Sequence, residues 1–351
     1  MRAVLRGTVA ERICAEMERK GVTAAQAARD AGLSADVLSG YLGAQRELDF
    51  SELRPLCHAL AINLMRLVGK NFEQANLSYR KSGLRDRRFV GKVEEAFLLV
   101  AEGLPHPKAL PAPPLDQGSG RAWELIGSIA AAVESLRGQF DSVEDLYEQL
   151  RLPLLDLAAG EDGLDAFLLN TKQHALVCVN RNKPPARLHF SLLHEAAHYI
   201  FDREREVPID YLSFANPYDS VIKENERPEY FADKFAQFFL IPFAEAESLW
   251  HKWPNVDNAA RLVSVRRTSA DVIAKAIYDV ARCHAQGRTR GHIPSYKEIL
   301  DVVRQTAGTL SDDTIHQFAR DQGQRTREKI RQRCAQFSEQ VWCEVTEALE
   351  I

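Results

Sequence analysis

His194, Glu195 and His198, in the run His194-Glu195-Ala196-Ala197-His198, are the residues of this chain best spaced to do chemistry. Two side chains four apart on an α-helix share one face about a turn from each other, so both imidazoles can close on one divalent ion, for which Zn2+ is the natural choice. Glu195 then lies beside the open coordination position, where a carboxylate can take a proton from water. A hydrolytic zinc site needs a third protein ligand. Downstream, Glu229-Tyr230-Phe231-Ala232-Asp233-Lys234-Phe235-Ala236-Gln237-Phe238-Phe239-Leu240 runs to Pro242 with apolar residues at helical spacing, which predicts a core helix. Glu229 is assigned as the third ligand. Asp233, one turn along the same face, is assigned to hold the free nitrogen of a ligand His and set its tautomer. Glu224 and Glu226 are rival ligands, but they precede that helix in a charged, Pro-broken stretch.

The surrounding residues extend the pattern. Arg187-Leu188-His189-Phe190-Ser191-Leu192-Leu193-His194-Glu195-Ala196-Ala197-His198-Tyr199, then Glu229 to Ala236, then Leu240-Ile241-Pro242, resembles the ImmA/IrrE zinc metallopeptidases. That family's pattern is roughly R-x-x-F-S/T-L-x-H-E-x-x-H, followed by E-x-x-A-N/D-x-F-A-x-x-L-x-P. The resemblance covers about residues 120–280. It implies His194, His198 and Glu229 as zinc ligands, Glu195 as the base, and an α+β zincin-like peptidase domain. Ala196-Ala197 stands where the family often has a larger apolar residue and Gly. The metzincin pattern does not fit, because it needs Gly at 201 and His at 204, where this chain has Phe201 and Glu204.

These helices must be held by a scaffold, and the rest of the chain is ordinary enough to supply one. With 351 residues, 45% hydrophobic and 27% charged, it is long enough for two or three domains with a sizeable core. A net charge of −4 gives no global pull toward nucleic acid or anionic lipid. The cysteines, at 14, 57, 178, 283, 334 and 343, form no C-x-x-C pair, which reads as free thiols in a reducing compartment. Neither a signal-type apolar segment nor an 18-residue apolar run is present, so a cytoplasmic protein with no membrane span is expected.

The expected fold is mainly α with a small β-sheet, divided at 1–72, 73–120, 121–285 and 286–351. In the first segment, Thr23 to Gln26 is a capping box, Gly32 a turn, Ser34 the cap of a helix to about Leu42, and a further helix covers Phe50–Leu60. Gly21 to Ser34 is similar to the Cro/C1 (xenobiotic-response element) type of helix-turn-helix domain, which implies DNA as a partner. The helix expected to read bases, Ser34 to Leu42, carries no Arg, Lys, Asn or Gln, and Asp36 would repel phosphate. Residues 1–70 hold ten Lys and Arg against eight Asp and Glu, a net charge of only +2. A docking module for a protein partner is the rival reading. Arg80, Lys81, Arg85, Arg87 and Arg88 follow in a basic connector that could supply phosphate contacts, or simply be solvated.

A helix at about 91–102 and a Pro/Gly-rich linker from 103 to 120 lead to helices at 122–137 and 142–150 and strands at 166–170 and 175–180. Such a sheet offers its edge to an extended substrate by main-chain pairing, and either strand could be that edge. His174, His189, Tyr199 and Tyr230 are candidate oxyanion stabilisers, each with a simpler structural reading. The long stretch 202–228 is expected to border the substrate groove. Helices at 244–250 and 269–281 follow, while His284 and His292 match no ligand spacing. Residues 286–351 should be helical, opened by a Ser295/Glu298 capping box, with the basic run 320–333 either a solvated face or a sensor and partner surface.

The functional expectation is a zinc endopeptidase with a regulatory helix-turn-helix domain, its substrate by resemblance a repressor or antitoxin-like protein in a stress, phage or mobile-element response. The alternative is a DNA-binding transcription regulator whose peptidase-like domain senses without cutting.

Overall fold

The computed structural model describes residues 10, 13–14, 17–18, 20–43, 50–60, 76–79, 97, 100–110, 122–157, 165–170, 173–202, 227–285, 293–309 and 313–334. Arg80, Lys81, Arg85, Arg87, Arg88, Glu224, Glu226, His292 and most of the 202–228 stretch lie outside them, as does most of the helix expected at 91–102. The chain divides into two compact units, Met1–Gln74 with Phe89–Leu99, and Ala75–Arg88 with Val100–Ile351. The stretch 73–120, expected as a connector, is thus shared between both.

In the first unit, α1 (Ala24–Asp30) starts where Thr23 accepts a hydrogen bond from the Gln26 N–H at 3.2 Å. Gly32, at φ +68, makes the turn that an L side chain would strain. Ser34 caps α2 (Ala35–Leu42) through the Val37 N–H, and α3 (Phe50–Ala59) follows. Ile13, Ala27, Ala28, Leu38, Leu53, Leu56 and Leu60 close a small core of their own.

The second unit is built on a mixed sheet. Its strands are β1 (Asn76–Tyr79), β2 (Leu154–Leu157), β3 (Ala166–Asn170) and β4 (Ala175–Asn180), in the order β1-β3-β4-β2. β3 is antiparallel to both β1 and β4, whereas β2 runs parallel to β4. The two strands expected from the sequence are therefore inner strands, and neither is the free edge. The outer strands are β1, from the expected connector, and β2. The reason is periodicity. β2 is Leu-Leu-Asp-Leu, four residues all buried, with no alternation to announce a strand.

The edge of β2 is built over. From α12 (Thr314–Cys334), Arg327 Nη2 donates to the main-chain oxygen of Asp156 at 2.5 Å and pairs with its carboxylate at 2.7 Å. Gly323 permits this approach, since a side chain there would collide with Asp156. The basic run 320–333 is accordingly no uniformly solvated face: Thr326 and Ile330 are buried and Arg327 clamps β2, while Arg320 and Arg325 are exposed.

Among the described residues, eight further helices make up the remaining layers around the site. α4 (Ala122–Arg137) and α5 (Val143–Leu150) precede the sheet, and Ser142 caps α5 through the Asp145 N–H at 3.0 Å. α6 (Pro185–Asp202) lies against β3 and β4 and packs beside α7 (Arg227–Leu240). α8 (Phe243–His251) and α9 (Ala259–Val265) lead to α10 (Ala270–Ala285), and α11 (Tyr296–Thr306) opens on a Ser295/Glu298 capping box. Every residue of α6 from Leu188 to Ile200 is buried, which makes it the central helix of the core. Each large apolar side chain enclosed there, such as Leu192 or Leu193, contributes about 1.5–3 kcal/mol by leaving water. The described part of the expected linker is docked: Lys108 N–H donates to Leu150 O at 2.7 Å, and Tyr199 hydroxyl donates to Lys108 O at 3.1 Å. No helix among the described residues is long and apolar enough to cross a membrane.

Candidate metal centre

A helix as enclosed as α6 should carry no polar side chains without use for them, because burying such groups costs free energy unless they are satisfied. Yet His194, Glu195 and His198 sit at its centre, each at most 1% exposed. The start of α6 is fastened to the entry of β3: Arg187 Nε donates to Asp165 at 2.8 Å and Lys183 pairs with the same carboxylate at 3.1 Å. This fixes the helix, and with it the direction of both imidazoles. Ala196 and Ala197 are fully packed, so small residues suffice where the family pattern often differs.

α7 brings Glu229 to the same point. His194 Nε2 and His198 Nε2 are 3.1 Å apart, Glu229 Oε2 lies 3.3 Å from the first, and Glu229 Oε1 lies 3.2 Å from the second. Ligands held at zinc's usual 2.0–2.1 Å in a tetrahedron are separated by about 3.3 Å, which is the spacing of this triangle. The donor set, two imidazoles and a carboxylate, also suits Zn2+.

The outer nitrogens are held as well. His194 Nδ1 faces Asp233 Oδ1 at 3.0 Å, and His198 Nδ1 faces Asp202 Oδ2 at 2.9 Å. The Asp233 contact was expected. Asp202 was not, although a carboxylate four residues beyond His198 on the same helix was the signal for it. Each Asp favours the tautomer that leaves Nε2 free to ligate. Asp202→Asn and Asp233→Asn are each expected to weaken zinc binding about 10–100-fold, measured by competition with a chelator of known affinity. Unchanged affinity in both would remove the orienting role.

The electrostatics favour a cation. Burial alone pushes both imidazoles toward neutrality, but Asp233 and Glu229 outweigh it at His194, and Glu229 and Asp202 outweigh it at His198, so both hold protons above the ordinary histidine range. Burial raises the Glu229 carboxyl, yet the two histidines bring it down to about 2. A divalent ion must displace those protons. Raised histidine pKa values therefore move the competition to higher pH: zinc affinity should fall steeply on acidification from neutral pH, with proton release approaching about two per ion. Titration calorimetry in buffers of different ionisation enthalpy measures this, and release near zero would contradict the assignment.

Glu195 lies toward the sheet and α5. Its charge adds to burial in raising the Tyr147 hydroxyl and the Cys178 thiol, and Tyr147 donates to Leu192 O at 2.8 Å. A thiol held protonated at Cys178 is no nucleophile. Cys14, Cys57, Cys178 and Cys283 form no disulfide. The candidate oxyanion tyrosines are engaged elsewhere, Tyr199 with Lys108 O and Tyr230 with Ala122 O at 3.2 Å. His189 is buried on α6, and His174 stacks against the exposed His106 with ring centroids 4.7 Å apart.

Residues 152–276 match the Peptidase M78 family model, described as the IrrE N-terminal-like domain. The matched span runs from just before β2 into α10, and includes His194, Glu195, His198, Asp202, Glu229 and Asp233. It supports the ImmA/IrrE resemblance and a metallopeptidase-like domain for that segment. No curated protein and no solved structure matches the chain.

Proposed function

We propose that the peptidase M78-like domain of residues 152–276 is a zinc-dependent endopeptidase acting in the cytoplasm. Its proposed substrate is a repressor or antitoxin-like protein, and its control lies in the N-terminal residues, read as a helix-turn-helix domain that meets DNA or a protein partner. The observation that carries the reading is Glu195, a fully buried carboxylate in the same helical turn as two imidazoles that converge with Glu229. A domain that only sensed a metal or held a shape would have no need of a base there, which disfavours the non-cleaving regulator.

His194, His198 and Glu229 would hold the ion, with Asp233 and Asp202 orienting the two histidines. Zinc bound there supplies Lewis acidity and a nucleophilic water at neutral pH. Glu195 takes the proton from the attacking water and delivers it to the leaving amine as the peptide bond breaks. Enclosure of α6 keeps bulk solvent from the carboxylate, so its charge acts in a low-dielectric setting.

The test is incubation of the zinc-loaded full chain with the small repressor or antitoxin-like proteins encoded beside it, with and without DNA, and mass spectrometry of the fragments. A defined internal cut that chelation abolishes is expected. No cut in any neighbouring protein would favour the sensor reading.

Strand β1, itself part of the second unit, covers a sheet edge that an extended substrate would need. An extended substrate pairs with a free sheet edge, but α12 covers β2, and β1 occupies the outer side of β3, the strand that packs against α6. Successive residues of an antiparallel strand turn their N–H groups to opposite sides, so Leu77 or Ser78 donates toward β3. Replacing both by Pro removes that donor. Cleavage of an unstructured peptide is then expected to rise several-fold; an unchanged or lower rate would show that β1 does not cover the substrate edge.

A further inference from the structure

A second group of metal-ligating side chains stands apart from the first. Glu247 and His251 are one turn apart on α8, and His284 lies in the last turn of α10. His284 Nε2 approaches Glu247 Oε1 to 2.8 Å, and the rings of His251 and His284 are 5.4 Å apart between centroids, inclined at 62°. One ligand atom from each residue lies within 4.8 Å of the other two. From spacing along the sequence His284 matched no ligand pattern. The packing of α8 on α10 assembles the group across 33 residues that no short motif spans.

From this juxtaposition we propose that Glu247, His251 and His284 form a second divalent-metal site, taking Zn2+ or a chemically similar late first-row ion. Two imidazoles and one carboxylate suit zinc, nickel or copper, whereas Ca2+ and Mg2+ call for oxygen ligands throughout. The backbone is already in place. Ala246 and Leu249 of α8, and Ile277, Val280 and Ala281 of α10, are buried, so the helices carrying the ligands are anchored from beneath. The ligand atoms, within 4.8 Å of one another, have to close to the spacing of about 3.3 Å that zinc requires.

The site differs from the first in exposure. The side chains of Glu247 and His284 retain 36% and 41% of their accessible area, and His251 is also exposed. Water completes the coordination, and the ion exchanges freely with solvent. Such a site binds more weakly than the enclosed one and responds to free metal rather than holding it permanently. Its physical effect is to staple α8 to the C-terminal end of α10. α10 supports α7 through Asp279, which receives Lys234 Nζ at 2.5 Å and Gln237 Nε2 at 2.6 Å. A filled second site therefore stiffens the layer behind the helix that carries Glu229. A hydrogen-bonded His284–Glu247 pair that binds no metal is the competing account.

Zinc titration of the full chain decides between them, read as bound ions per chain by equilibrium dialysis against buffered free zinc and as the shift in thermal midpoint. His251→Ala and His284→Ala, both at exposed positions, are each expected to bind one ion fewer than the unaltered chain at saturating zinc, with peptide cleavage unchanged. His194→Ala combined with His198→Ala is expected to keep a weaker ion that His284→Ala then removes, whether or not the first centre hydrolyses anything. Equal stoichiometry and equal zinc-dependent midpoint shifts in the unaltered chain, His251→Ala and His284→Ala would overturn the proposal.

Discussion

Replacing Glu195 by Gln is expected to lower peptide cleavage by about 10²–10⁴-fold, the usual worth of a positioned general acid–base group. The zinc content should not change. Gln keeps the shape and the hydrogen-bonding reach of the carboxylate but cannot accept a proton near neutral pH. None of the groups around the ion is altered, because His194, His198 and Glu229 form the converging triangle and Asp233 and Asp202 hold the outer nitrogens. Glu195 is fully buried, so no other solvent-borne base can easily take its place. The measurement is paired: kcat/KM on a cleaved peptide, and zinc per chain on the same preparation. Loss of both together would mean that Gln disturbs the site rather than the proton transfer. Loss of neither would remove Glu195 from the mechanism.

The largest effect on stability is expected at Asp279. Its carboxylate is fully buried and receives both Lys234 and Gln237 of α7, with Lys234 itself only 5% exposed and its Nζ 5.5 Å from the Tyr230 ring centroid. Asp279→Leu removes the counter-charge and leaves an enclosed ammonium that keeps the Gln237 side-chain oxygen at 3.2 Å but has lost its carboxylate. Breaking a buried pair from one side costs about 3–5 kcal/mol, because a desolvated charge is left uncompensated. Removing both charges, as Lys234→Met with Asp279→Leu, should restore most of that loss, since apolar residues of similar volume replace buried pairs at little cost. Urea unfolding of the single and double variants measures the difference. If the single variant matches the unaltered chain, the pair contributes no net stability. Because Lys234 follows Asp233 and lies little more than a turn beyond Glu229, the single variant should also bind zinc more weakly.

How far these sites were legible depends on the range of the interaction that makes them. The pairing of His194 with His198 was legible because it is local, a consequence of 3.6 residues per turn, and the helical period of 229–240 brought Glu229 and Asp233 onto one face. Helix caps at Thr23, Ser34 and Ser295 were equally local and lie where the side-chain pattern placed them, while for the helix after residue 140 the sequence left Asp141 and Ser142 both open and Ser142 is the cap. Asp202 was within reach of the same reasoning, since it too lies four residues along α6 from the His it holds.

Sheet order was not legible. β3 and β4 had strand composition, but which of them lay at an edge depended on partners from residues 76–79 and 154–157, segments of four residues each, too short to carry a period, the second buried throughout. The Arg327–Asp156 clamp joins residues 171 apart, Lys234–Asp279 residues 45 apart, and His284–Glu247 residues 37 apart. Sequence by itself determined most of the helices and caps and the two imidazoles of the centre, because each follows from backbone geometry within a turn or two. Tertiary structure alone decided which edge of the sheet is covered, which charges are buried together, and that a second trio of ligands meets between α8 and α10, because the free energy of those contacts comes from packing residues that no local period relates.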